Sequence, residues 1–359
     1  MPDRSVEPIS AEPAADPAPS PAALIELRPQ GLYCPAGDFY IDAWQPVPCN
    51  VVTHAHADHA RPQMGEYHCA TPCAPLLQWR LAESNLHAHD YGTAFDMGPV
   101  QVSLHPAGHI LGSAQVRIEH QGEVWVFTGD FKRQPDPTCV PFELLACDTL
   151  ITEATFAFPV YRWPPMREVV LQIEGWLRDC AARGETAVLY AYSLGKAQRL
   201  LAELAHVLTA PAIVHGALQR PIELYRAAGV ALADTESVAD YPTGHDFAGR
   251  LVLAPPSAAG SSWLRRFKHA QQAFASGWMQ LRGNRRRRNY DRGFVISDHA
   301  DWPALLRTIE ETGARRVFAT HGNSDTLVQL LRERGLDAQA LHTQYGDEED
   351  DAAAPAVEF

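Results

Sequence analysis

A chain of 359 residues with 46% apolar side chains can bury a sizeable core and suits two lobes, or one large domain with an insertion. It has no run of about 18 apolar residues and no basic stretch followed by an apolar one at its start, which argues against a membrane span and a signal peptide and for a cytoplasmic protein. The net charge of −13 argues by itself against a nucleic-acid binder, but acid concentrates in Asp347–Asp351 and base in Arg285–Arg288, with Arg282 and Arg292 on either side, so the average hides a positive patch.

Residues 1–24 are rich in Ala, Pro and Asp and are expected to be a disordered tail. Order is expected to begin at the short apolar run Leu24–Leu27. Short strands then dominate: 39–41, 50–53, 100–104, 114–118, 124–127 and 149–153 are apolar or alternate with the strand period. Several end in a polar loop that carries His or Asp, the way metal sites are built at the edge of a β-sandwich. The seven cysteines are odd in number and irregularly spaced, and read as reduced thiols.

After residue 165 the pattern changes. Apolar residues at 169, 170, 173, 176, 177 and 180 make a helical stripe over 167–183. The apolar strand 187–192, the turn Ser193-Leu194-Gly195-Lys196, a helix over 197–208 and the strand 212–214 read as a parallel α/β unit, an inserted lobe over 166–290. The chain then returns to strand and loop at Phe294–His299, with a helix over 302–312 and the strand 316–320 before His321. The last residues, 346–359, form an acidic tail expected to be disordered.

The loop His54-Ala55-His56-Ala57-Asp58-His59 follows an apolar strand. Alternating His54 and His56 leave the strand end on one side, and Asp58 and His59 follow once the chain has turned, so one loop can serve two neighbouring metals. His109, Asp130 and His321 occupy loops at other strand ends and complete a set of five histidines and two aspartates. Asp130 is placed to bridge two zinc ions, which would clamp an attacking hydroxide. Manganese is a second candidate for the same donors.

These residues carry a resemblance. His54–His59, His109, Asp130 and His321 resemble motifs of the metallo-β-lactamase superfamily. Glu153 in Thr152–Phe156, His299 in Ser297–Asp301 and His321 resemble the three further motifs of its β-CASP nucleases. Gly129–Arg133, Ser276–Met279 with the arginine run, and Asp298–Trp302 are similar to bacterial ligase-associated DNA exonucleases. The resemblance spans about residues 28–345. It implies an α/β fold: a metallo-β-lactamase αββα sandwich in two segments, 25–165 and 291–345, around a reduced β-CASP-like lobe at 166–290. It also implies an exonuclease acting on DNA in repair, associated with an ATP-dependent DNA ligase and an Lhr-like helicase, with attack by a metal-bound hydroxide. Asp58, Glu153 and His299 are the catalytic candidates, with His299, held by Glu153, protonating the leaving oxygen. Lys132, Arg133, Lys196, Arg282, Arg285, Arg286, Arg287 and Arg288 are the candidates for phosphate contact. Histidine at position 321 is commoner among RNA-acting members of the group, so an RNA-processing ribonuclease stands beside the DNA reading. A small-molecule ester or lactone hydrolase on the same fold would explain the metal ligands but not Glu153, His299 or the arginines.

Overall fold

The computed structural model describes residues 23–82, 85–281, 290–322 and 324–345. The two tails lie largely or wholly outside this range, and so does the arginine run at 282 and 285–288. The chain first lays down six strands in spatial order: β1 (Glu26–Arg28), β2 (Gly31–Cys34), β3 (Phe39–Ile41), β4 (Cys49–Val51), β5 (Glu66–Ala70) and β6 (Leu86–His89). The first two junctions are antiparallel and the remaining three parallel. Helix α1 (Ala74–Leu81) lies between β5 and β6. A second sheet follows as a run of neighbours: β7 (Ala94–Met97), β8 (Val100–Pro106), β9 (Ala114–His120), β10 (Glu123–Phe127) and β11 (Thr149–Glu153). Val100, Val102 and Leu104 alternate along β8 into one core with Leu32, Ile41 and Val51, so the two sheets pack face to face.

Helix α2 (Met166–Arg183) leads out of this pair. Its buried Val169, Val170, Ile173, Trp176 and Cys180 form the expected stripe, and Gly184 ends it in the left-handed region. The lobe beyond is built on β12 (Thr186–Tyr190), α3 (Lys196–Glu203), β13 (Ala212–Val214), α4 (Gly216–Ala227), β14 (Thr235–Ser237), β15 (Leu251–Ala254), β16 (Ala270–Ala275) and β17 (Arg292–Phe294). The six strands form an all-parallel sheet in the order β14-β13-β15-β12-β16-β17. One face packs on α2, α3 and α4; the other is covered by irregular chain through Phe247, Phe267 and Met279. Helix α3 is shorter than the expected 197–208. It ends at Glu203, and the following turns run to Pro211, whose ring disfavours helix in the residue before it.

The chain then crosses back. Helix α5 (Trp302–Thr312), β18 (Arg316–Thr320), α6 (Asp325–Glu333) and β19 (Asp337–Ala340) return to the second sheet, where β18 pairs in parallel with β11 and with β19. Leu305, Ile309, Leu327 and Leu331 of the two helices cover Val126, Leu150 and Val317 of that sheet. The described residues thus form a mixed α/β structure with three sheets. All seven cysteines are unbridged. No helix among the described residues is long and apolar enough to cross a membrane.

Candidate metal centre

Asp42, at the end of β3, organises the loop after β4. Its carboxylate accepts from the Thr53 amide (2.8 Å), the Thr53 hydroxyl (2.6 Å) and His59 Nδ1 (2.7 Å). Gly129, with φ +53°, lets the turn after β10 approach Thr53; a Cβ there would meet Thr53 Cβ at 2.8 Å. That close approach sets Asp130 against the loop.

The hydrogen bonds at the outer edge of each ring decide which nitrogen carries its proton. The Thr53 hydroxyl spends its proton on Asp42, so it accepts from His54 Nδ1 (2.9 Å). Carbonyl oxygens can only accept, so His56 Nε2 donates to Leu194 O (3.2 Å) and His109 Nδ1 donates to Asp298 O (2.7 Å). Each ring is thereby left with a lone pair on its other nitrogen. Those three atoms converge: His56 Nδ1 lies 3.1 Å from both His54 Nε2 and His109 Nε2. Three lone pairs facing one another in a buried space call for a cation.

Asp130 Oδ2 lies 3.6 Å from His54 Nε2, 3.9 Å from His109 Nε2 and 3.5 Å from His59 Nε2, while its Oδ1 is 3.6 Å from His321 Nε2. The second oxygen is buried without a hydrogen-bond partner. His59 and His321 face each other at 3.3 Å between Nε2 atoms, with Asp58 Oδ2 3.6 Å from His59. The donors thus divide into His54, His56, His109 and Asp130 on one side and Asp58, His59 and His321 on the other, and both clusters have the chemistry to hold a metal ion. His54, His59 and His109 are buried, whereas His56, Asp58 and His321 are half-buried, so the centre opens on their side.

The electrostatics agree. Burial, then the neighbouring imidazoles, keep His54 and His109 well below the ordinary histidine range, hence neutral ligands. Burial pushes Asp130 up to about 7 against the pull of His59 and His299. At His59 the carboxylates of Asp58, Asp130 and Asp42 outweigh burial and lift it to about 10. A cation would replace the protons that these groups otherwise share.

Glu153 ends β11 with its oxygens on two tasks. Oε1 accepts from the Phe131 amide (2.7 Å), which holds the Asp130 turn, and Oε2 accepts from His299 Nδ1 (2.8 Å). His299 is buried, 4.0 Å from Asp130 Oδ2 by its Nδ1. Its carbonyl accepts from Trp163 Nε1 (2.9 Å), and its ring meets Phe156 edge-on, with Trp163 and Trp278 packed in turn against Phe156. A cavity of about 290 Å³ beside it is lined by Arg133, Trp163, His299 and Arg307.

The expected phosphate contacts divide. Arg133 reaches that cavity while paired to Glu311 at 2.8 Å and bonded to Thr308. Lys132 and Lys196 differ from expectation: they are 1% and 0% exposed. Both sit in a buried ion network, each 3.6 Å from Asp298, with Lys132 also on Asp136. Arg199 joins them, 3.3 Å from Asp298 and 3.5 Å from Asp136. Burial would raise Asp298, yet Lys196, Lys132 and Arg199 hold it far below the usual carboxylate range. As placed, neither lysine presents its ammonium to a ligand. The arginines at 282 and 285–288 lie outside the described residues.

Sequence reasoning passes over Asp42, Asp136, Arg199 and Tyr345. Tyr345 stacks on His321 at 4.5 Å and on His59 at 4.7 Å. Asp42 has a signal, a carboxylate directly after an apolar strand, the same signal that marks Asp130 and Glu153.

No family model matches the chain. A protein named probable DNA ligase, from Opitutus terrae, is 33% identical over 320 residues, which cover 87% of this chain and 30% of its own length. The endoribonuclease ysh-1 of Neurospora crassa is 34% identical over 121 residues, 32% of this chain and 14% of that one. This chain therefore spans under a third of the length of these relatives. Among solved structures, a protein of unknown function from Enterococcus faecalis V583 shares the fold, with a TM-score of 0.52 at 11% identity over 75% of this chain and 74% of its own.

Proposed function

We propose that the chain is a metal-dependent phosphodiesterase that degrades DNA, built as a metallo-β-lactamase αββα sandwich with a β-CASP-like second lobe. The observation that carries this reading is the Glu153–His299 pair beside Asp130, since a phosphodiester needs a proton donor for its leaving oxygen as well as an activated water. Two zinc ions in the donor sets, or manganese in their place, would supply Lewis acidity toward a phosphoryl oxygen and lower the pKa of water to about 7. The chain's own residues do the rest. Asp130 lies between the two sets and holds them at one spacing. Asp58, half-buried at the open side, faces the attacking water. Glu153 keeps the His299 proton at Nδ1 and stabilises the charged ring, so a second proton at Nε2 passes to the leaving oxygen as the P–O bond breaks. Arg133 and Arg307 line the adjoining cavity with positive charge suited to a neighbouring phosphate.

The long match to part of a protein named DNA ligase favours DNA as substrate and a DNA ligase as functional partner; a role in repair in the cytoplasm rests on the resemblance and the sequence alone. The helicase association rests on the resemblance alone. The match to an endoribonuclease and the histidine at 321 favour RNA as the second reading. End-labelled single- and double-stranded DNA and RNA, given to the zinc- or manganese-loaded protein, decide the matter. Mononucleotides released from one end of DNA are expected. Opening of lactones with no cleavage of either nucleic acid overturns the reading.

A further inference from the structure

A second group of metal-binding side chains lies away from this centre. Strands β4, β5 and β6 are neighbours in parallel register, with Cys49 opposite Glu66 and His68 opposite His87. Paired residues of neighbouring strands point to the same face, and residues two apart on one strand do too, so all four project together. The ligand atoms of Cys49, Glu66 and His68 lie within 4.8 Å of one another. His87 Nε2 is 3.5 Å from Glu66 Oε2, and His68 Nε2 is 3.8 Å from Glu66 Oε1.

His68 shows what the group lacks. Its Nδ1 is 2.9 Å from His89 Nε2, while its Nε2 is buried with no hydrogen-bond partner. Burial first, then His89 and His87, lower its pKa to about 4, so the ring is neutral. In the tautomer in which Nδ1 donates to His89, Nε2 carries a lone pair that faces the Cys49 thiol and the Glu66 carboxylate. Leaving such a buried atom unsatisfied costs about 1–3 kcal/mol. The two spacings from Glu66, 3.5 and 3.8 Å, are close to the roughly 3.3–3.8 Å between ligand atoms of a tetrahedral zinc site, and Cys49 Sγ lies within 4.8 Å of the others.

We propose that Cys49, Glu66, His68 and His87 bind a single thiophilic divalent cation, zinc by donor chemistry, at a structural site separate from the centre formed by His54–His321. Binding exchanges the Cys49 thiol proton for the cation and releases that proton to solvent. Cys49 lies at the far end of β4 from the His54 loop, so the site touches none of the catalytic candidates. Its effect is to staple β6, the edge strand of its sheet, to two inner strands.

The test is cobalt substitution of the chelator-stripped full chain. The catalytic centre offers only nitrogen and oxygen donors, so a near-ultraviolet thiolate-to-cobalt charge-transfer absorption that depends on Cys49 among the seven free cysteines reports this site. The absorption is expected in the wild type, lost in Cys49→Ser, weakened in His87→Ala and kept in Asp130→Asn. Cys49→Ser should also bind about one metal equivalent fewer while keeping its nuclease rate. No thiolate absorption in the wild type, or an unchanged one in Cys49→Ser, overturns the proposal. If Cys49→Ser fails to fold, the wild-type spectrum and the exposed His87→Ala variant decide. Because the readout is spectral, failure of the nuclease reading would leave it untouched.

Discussion

Two buried polar clusters meet at residues 298 and 299, and they balance their charge in opposite ways. On one side His54, His56 and His109 turn lone pairs toward one another around Asp130, and the set is incomplete without cations. On the other, Lys132, Lys196 and Arg199 are matched by Asp136 and Asp298, and the set is close to complete from protein atoms alone. Histidines and aspartates that do not satisfy one another mark a binding centre; lysines and aspartates that do mark a scaffold. A buried ion network has a cost of its own, because each charge loses its hydration. Here that network joins the second lobe to the loop that carries Asp130.

The contrast predicts how each cluster breaks. Asp130→Asn should give the largest effect, a loss of activity beyond about 10³-fold together with the metal, read by elemental analysis beside the cleavage rate. Full metal content in that variant would refute its place between the two donor sets. Asp298→Ala should act on stability instead. It removes the carboxylate shared by three buried cations, leaving Asp136 to Lys132 and Arg199, at a cost of about 3–5 kcal/mol in urea unfolding. An unchanged unfolding midpoint would mean that the network is solvated. His299→Ala should keep the metal and slow cleavage by about 10²-fold, with a rate equal to wild type ruling out its role as acid. The mildest change is expected from replacing Arg285–Arg288 by alanine. Affinity for DNA should fall, and its dependence on salt should flatten by about one unit of slope for each phosphate that the variant no longer neutralises.

The two clusters are unequally legible in the sequence. Four candidate ligands of the metal centre sit within six residues, Glu153 ends an apolar strand, and Asp130 and His321 lie just beyond one, so a linear pattern reveals them. The ion network is assembled from positions 132, 136, 196, 199 and 298, which no period connects. Lys132 and Lys196 have the local pattern of phosphate-binding residues because each follows a glycine turn or a ligand. Only the seating of α3 and the turn before it against the loops that carry Ile110, Asp136 and Asp298 shows that they point inward. Gly195 marks that contact, since a Cβ there would meet Ile110 at 2.4 Å. Six of the eleven strands described before residue 165, β3, β4 and β8–β11, are legible as apolar or alternating runs. The short strands β1, β2 and β5 and the half-exposed edge strands β6 and β7 are not, and neither is the order of the parallel sheet, which depends on crossovers rather than on local pattern.

Two of the carbonyls that set the ligand tautomers belong to chain outside the two facing sheets: Leu194, in the turn before α3, and Asp298, just beyond β17. Cation binding and docking of the second lobe are therefore thermodynamically linked. Whatever holds Leu194 and Asp298 in place raises affinity for the ion, and by reciprocity a bound ion tightens the grip of one lobe on the other by the same factor. Anything that displaces Leu194 or Asp298 would loosen that clasp and weaken ion binding by the same factor.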